Sequence, residues 1–245
     1  MKSQYVLPIT IVVAGAMIAS AVFLVGKSNT AAGPVDQTKT TKHAYNPGVD
    51  HIIGNPAAPV KIVEYADLEC PHCKLFNTTM HQVVDHYAPG GKVAWVFRNF
   101  PLTQIHSKAP KEAEAAECAG KLGGDAAFFK FIDQVFAVTP SENGLDLGQL
   151  PKIATQIGLN VNDFNACYNA NTFTKKVTDS YSEAIAAGGT GTPYILIMVG
   201  DDAVALSGDQ PYASMLAAVN AVIAQLPAST DSSTNLGQTA STTTQ

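Results

Sequence analysis

A β-branched run that ends in a pair of thiols and passes at once into a helical run is the feature that most restricts how this 245-residue chain can fold. Val60-Lys61-Ile62-Val63-Glu64-Tyr65-Ala66 alternates and predicts a strand, whereas Cys73, Phe76, Met80, Val83, Val84 and Tyr87 recur at helical spacing. Cys70-Pro71-His72-Cys73 stands at the junction. Pro71 suits the first helical position, where a missing N–H costs nothing, so Cys70 falls at the N-cap and Cys73 inside the first turn. On that placement Cys70 is expected to be the exposed thiol and Cys73 the buried one.

Two thiols so spaced can open and close a disulfide. A four-residue loop gains little entropy from closure, so the pair reads as a redox site more than a staple. An unperturbed thiol is only about 3% thiolate at neutral pH. A helix N-terminus contributes about 0.3 to 1 kcal/mol, less than one pKa step, so backbone N–H groups and the His72 imidazole are expected to supply the rest. A stabilised thiolate favours the reduced form and makes the disulfide more oxidising. Zinc is the weaker alternative. Structural zinc sites usually come as two short-spaced pairs, and Cys118 and Cys167 stand apart as singletons. Only His81 and His86, five positions apart, approach a ligand spacing, and no metal site is assigned.

The N-terminus bears on compartment. No charge lies between Lys2 and Lys27, and residues 5–26 are almost wholly apolar. At 1.5 Å per residue that run reaches about 33 Å, enough to cross a bilayer. The apolar region of a cleaved signal peptide is usually about 7 to 15 residues, so a membrane anchor is the first reading. Cleavage near Asn29-Thr30-Ala31-Ala32-Gly33 is the second, and either exports the rest of the chain. Basic residues lie on both sides of the span, but an oxidising dithiol belongs outside the cytoplasm. Residues 1–4 are therefore expected in the cytoplasm and the remainder outside.

Residues 27–48 are polar, contain Pro34 and Pro47, and read as a flexible linker. Residues 228–245, rich in Ser, Thr, Gln and Asn, read as a disordered tail. Residues 49–227 remain, enough for one domain with a sizeable core. A net charge of −5 with 14% charged residues argues against nucleic acid as a partner. Lys92 to Arg98 predicts a second strand with Val93, Trp95 and Phe97 on one face. Helical patterns follow at 107–122, 125–138, 147–157, 161–169 and 172–187. Strands resume at 194–199 and 203–206, and a last helix runs over 211–226. The order is β-α-β, a helical insertion over about 107–187, then β-β-α, an α/β chain.

That order, with Cys70-Pro71-His72-Cys73 after the first long strand and Gly191-Thr192-Pro193-Tyr194 opening the strand after the insertion, resembles the DsbA-like thiol:disulfide oxidoreductases of the thioredoxin superfamily. The resemblance covers about residues 49–226 and implies a thioredoxin fold with a helical insertion between its βαβ and ββα halves. It implies that Pro193 is cis and lies against the dithiol, and that Thr192 offers backbone groups to a bound peptide. Glu64, six residues before the nucleophile, matches a buried carboxylate that accepts or relays a proton near Cys73, with Lys92 or Arg98 as its partner. A solvated acid is the plainer reading of Glu64. Asp67 and Glu69 are expected as surface charges. Exported relatives carry a second cysteine pair in the insertion, which implies a structural disulfide between Cys118 and Cys167. Buried free thiols or a regulatory redox pair are the alternatives.

In the cycle so implied, a substrate thiolate attacks the oxidised dithiol at Cys70, and a second substrate thiol resolves the mixed disulfide. Partners would be reduced exported proteins and a quinone-linked membrane oxidase of the DsbB or VKOR type. No cofactor is implied, and the chain is expected to be monomeric. His72 favours an oxidase. Thr192 before the proline is familiar among isomerase-type and reducing relatives, so an isomerase or reductase fed by a membrane donor is the runner-up. A tethered module delivering copper through the same thiols is the reading from another class.

Overall fold

The computed structural model describes residues 45–227. The expected membrane span, most of the linker and the polar tail lie outside the described residues. No helix among the described residues is long and apolar enough to cross a membrane.

In chain order the elements are β1 (His51–Gly54), β2 (Val60–Ala66), α1 (Pro71–Tyr87), β3 (Val93–Asn99), α2 (Ala109–Val138), α3 (Leu150–Gln156), α4 (Val161–Asn169), α5 (Thr174–Ala186), β4 (Tyr194–Val199), β5 (Asp202–Ser207) and α6 (Tyr212–Ile223). The five strands form one sheet in the order β1-β3-β2-β4-β5. β2 and β3 are parallel, joined by α1 as a parallel pair requires, and the remaining pairs are antiparallel. This is the α/β thioredoxin fold, with α2 to α5 inserted between its halves.

β1 was absent from the expected order. Four residues ending in Gly54 are too short to show a period, and it pairs only at the sheet edge with β3. The two helical stretches on either side of residue 123 form one element, α2, broken at Gly123 and Gly124. Gly124 has φ 69°, a left-handed value that favours glycine.

Strand parity sorts the core onto two faces. Val60, Ile62, Val93, Trp95, Phe97, Ile195 and Ile197 pack with α1, α2 and α6 on one face, and Cys73 lies among them. Val63, Tyr65, Ala94, Val96, Leu196 and Met198 face α5 on the other. β1 and α2 approach so closely that a Cβ on Gly120 would lie 2.5 Å from His51 Cε1. His51 stacks on Phe128 at 3.7 Å and presents its two ring nitrogens to Glu117 and Asp125, each at 3.0 Å.

Within the insertion Cys118 of α2 is bonded to Cys167 of α4, with Cα atoms 5.9 Å apart and a sequence separation of 49. In the chain-entropy account a loop of that length gives about 4 kcal/mol.

Candidate active site

Cys70 caps α1 in an extended conformation, and Pro71 occupies the first turn. The loop before it is held by Asp67. One carboxyl oxygen of Asp67 accepts the Glu69 N–H at 2.7 Å; the other accepts the Leu102 N–H at 2.7 Å and faces His106 Nδ1 at 2.9 Å. Burial raises the Asp67 pKa, and these hydrogen bonds oppose the rise. Asp67 and Glu69 are therefore interior residues, 1% and 0% exposed, and not the surface charges expected from sequence. The signal available was the aspartate three residues ahead of the N-cap, which suits a tight turn; the Cys70 N–H duly donates to the Asp67 carbonyl.

Both thiols are free in this structure, so it is the reduced dithiol. Cys73 is fully buried and Cys70 is 5% exposed. The order of exposure is the expected one, but Cys70 is far more covered than a helix-capping residue suggests.

The Cys70 pKa is lowered to about 6, chiefly by a hydrogen bond from the Cys73 thiol. Burial opposes this, and the Thr192 side chain and the N–H groups of Cys73 and His72 add to it. At pH 7 such a thiol is about 90% thiolate, a stabilisation of roughly 4 kcal/mol relative to an ordinary cysteine. The Cys73 thiol is pushed well above its ordinary value by burial first, then by donating to Cys70 and by the Cys70 and Glu64 charges. Cys70 is thus the thiol held as a thiolate and Cys73 the one that stays protonated. The imidazole of His72 is not among the groups that hold Cys70 down. Its Nδ1 lies 2.9 Å from Asp209 Oδ1, so its expected role passes to its backbone N–H.

The Thr192–Pro193 bond is cis. Cys70 Sγ donates to the Thr192 carbonyl at 3.4 Å, which brings the loop opening β4 against the start of α1. The Thr192 hydroxyl is buried and has no hydrogen-bond partner while the sulfur is a thiol.

Glu64 is 0% exposed, and neither carboxyl oxygen has a hydrogen-bond partner. It is not a solvated acid. Burial lifts its pKa to about 8, partly offset by the Trp95 indole and reinforced by the Cys70 charge. The expected basic partners are elsewhere. β2 and β3 pair with Glu64 opposite Phe97 and Tyr65 opposite Arg98, which puts Arg98 on the other face. There Arg98 meets Asp50 at 2.7 Å and Glu183 at 2.5 Å. Lys92 lies before the start of β3, five positions from Phe97, the residue opposite Glu64. A carboxyl without a cation and inside an apolar face is mostly protonated at neutral pH, which leaves it able to exchange a proton with its surroundings.

Sequence reasoning missed Asp209 and Glu112. Glu112 is buried with neither carboxyl oxygen satisfied by ordinary geometry, and burial together with its approach to Glu69 raises its pKa to about 10. Nothing local in the sequence marks an acid on an Ala-rich helix as interior. No group of three or more His, Cys, Asp or Glu side chains suited to a metal ion occurs among the described residues.

The profile of a family described as Thioredoxin matches residues 46–221. The chain is similar to DsbA2 of Pseudomonas aeruginosa, at 27% identity and a TM-score of 0.62, over 74% of this chain and 99% of that one. It is similar to alpha-DsbA1 of Wolbachia pipientis, at 28% identity and a TM-score of 0.61, over 74% and 96%. With BdbD of Bacillus subtilis it shares the fold, at 20% identity and a TM-score of 0.63, over 77% and 97%. Among curated relatives it is 33% identical over 120 residues to the Na(+)/H(+) antiporter NhaA 1 of Mycobacterium sp. strain KMS, 49% of this chain and 18% of that protein. The chain spans about a fifth of the length of the curated relatives it matches, as in the 22% of an NhaA 3 from Salinispora tropica. Since the profile takes in the whole sheet, the dithiol helix and the insertion, the chain belongs to the thioredoxin family and is DsbA-like in structure.

Proposed function

We propose that this protein is a thiol:disulfide oxidoreductase that donates the disulfide between Cys70 and Cys73 to reduced exported proteins. The observation that carries the reading is the unequal pair of thiols. One has its pKa lowered to about 6 and the other is buried and pushed well up, beside a cis proline. Stabilising the Cys70 thiolate stabilises the reduced state, and so makes the disulfide the better electron acceptor.

A substrate thiolate attacks Cys70 Sγ, the bond to Cys73 breaks, and Cys73 leaves as a thiolate that takes up a proton. Glu64, with its pKa raised to about 8 and on the same face of the sheet as Cys73, is the proposed source of that proton. A second substrate thiolate then attacks the substrate sulfur of the mixed disulfide and expels Cys70 as its thiolate. Reoxidation is assigned to a quinone-linked membrane oxidase of the DsbB or VKOR type. The apolar stretch over residues 5–26 supports an extracytoplasmic domain held at the membrane, acting as a monomer with its helical insertion over about 107–187.

The decisive experiment incubates the oxidised protein with a reduced, unfolded substrate and repeats it with Cys73→Ser whose Cys70 has first been converted to a mixed disulfide with glutathione. The native disulfide should oxidise the substrate, and in the variant a substrate thiolate should displace glutathione and leave a mixed disulfide between substrate and Cys70. A dithiol whose equilibrium with glutathione is as reducing as that of a cytosolic thioredoxin would sink the oxidase assignment. Thr192 keeps isomerase or reductase as the second reading, because a threonine stands directly before the cis proline and its carbonyl meets Cys70 Sγ at 3.4 Å. Under that reading the reduced protein rearranges a scrambled disulfide substrate faster than the oxidised protein oxidises a reduced one. Tight stoichiometric copper binding by the reduced protein, lost in Cys70→Ser, would favour the delivery module.

A further inference from the structure

His72 is the one ionisable side chain between the two active-site cysteines, and its ring is engaged by a carboxylate while only its backbone N–H serves the Cys70 sulfur. Its Nδ1 is 2.9 Å from Asp209 Oδ1. An ionised carboxylate only accepts hydrogen bonds, so Nδ1 carries a hydrogen and the ring is held in one orientation.

Asp209 is well placed to do this because its loop is itself tied down. β5 pairs with β4 through Tyr194 opposite Ser207, so the chain leaves the sheet beside Pro193. The Gly208 N–H donates to the Pro193 carbonyl at 2.9 Å, and Gln210, 7% exposed, donates to the Ser207 carbonyl at 2.8 Å. Asp209 stands between these two anchors. Its carboxylate is the fixed member of the pair, and the imidazole, 62% exposed, is the movable one.

We propose that Asp209 is a positioning residue for the dithiol: it holds the His72 ring on the loop after β5, away from Cys70 Sγ, and so makes the protein a weaker oxidant than its Cys-Pro-His-Cys sequence alone would produce. The inference rests on the redox reading of Cys70 and Cys73. It also joins the start of α1 to the segment that hydrogen-bonds the cis proline, so the orientation of His72 is coupled to the loop against which a peptide would dock.

The test is a double-mutant cycle on the full chain, with Asp209→Asn, His72→Ala and the pair. Two quantities are read: the glutathione equilibrium of the dithiol, and the Cys70 thiolate titration by ultraviolet absorbance. Asp209→Asn should shift the equilibrium toward the reduced protein by about two- to fivefold, the range of an exposed ion pair, and lower the thiolate titration point. In the His72→Ala background the same substitution should change neither. An equal shift in both backgrounds would mean that Asp209 acts on the sulfur directly, and no shift in either would mean that the pair has no influence; each overturns the proposal. Wild-type protein that fails to equilibrate with glutathione refutes the redox reading itself, before any variant is made.

Discussion

Cys70 Sγ and the Thr192 carbonyl lie 3.4 Å apart, so in the reduced protein this thiol is in contact with the residue that precedes the cis proline. The thiol donates there; as a thiolate it can only accept, and the groups that then serve it are the Cys73 thiol, the Thr192 side chain and the N–H groups at the start of α1. The contact therefore changes character as Cys70 ionises.

With Cys70 titrating at about 6, the dithiol potential should depend on pH in two regimes. Below that point reduction takes up two protons for two electrons, and above it one. The slope should pass from about −59 mV to about −30 mV per pH step, measured by equilibration with glutathione between pH 5 and 8. A constant slope through this range would show an ordinary thiol. The same lowered pKa stabilises the reduced fold in full above the unfolded value near 9, a gain lost as pH falls through about 6.

Glu64 works in the opposite sense. Its folded pKa of about 8 lies above the ordinary 4.5, so its contribution to stability is complete below about pH 4.5 and is lost as pH rises through 8. Glu64→Gln should leave the oxidised protein no more stable at pH 4.5 but about 2 to 4 kcal/mol more stable at pH 8. Urea unfolding followed by fluorescence of Trp95, the only tryptophan in the chain, measures this. A difference that is the same at both pH values would assign the effect to shape and not to charge.

Replacing both Cys118 and Cys167 with serine should cost about 2 to 4 kcal/mol in the same unfolding assay. Thiolate titration of Cys70 should be unchanged, since none of the groups that lower its pKa belongs to the insertion. A shift in that titration would show that the disulfide between α2 and α4 acts on the redox site.

Arg98→Met should be more damaging. It leaves the buried Asp50 carboxylate without its cation and removes the link to Glu183 of α5, a loss of about 3 to 5 kcal/mol. A change below about 1 kcal/mol would place this pair with exposed ion pairs of little consequence.

The strand and helix flanking the dithiol were legible because both periods are strong there: Val60 to Ala66 and the Cys73, Phe76, Met80, Val83 series are where those periods place them. β1 was not, because a short edge strand owes its existence to pairing with β3 and carries no period of its own. The burial of Asp67, Glu69 and Glu112 was hidden for a related reason. Acids are ordinarily exposed, and only the packing of α2 over the loop before Cys70 reverses that. The roles given to Arg98 and His72 failed on geometry that a single strand cannot reveal: the register of β3 against β2, and a loop 137 residues downstream of His72.

The pairing of Glu64 with Phe97, and of Tyr65 with Arg98, makes the sheet an electrical partition. On one side sits an acid with no counterion next to two thiols; on the other, a guanidinium whose charge is spent on Asp50 and Glu183. Successive side chains alternate faces, so a slip of one residue between β2 and β3 would bring the guanidinium to the side of the thiols, and with it a carboxylate ionised at neutral pH. The proton affinity of the redox centre is in this sense stored in the hydrogen-bond ladder between two strands, and not in the four residues that carry the sulfur.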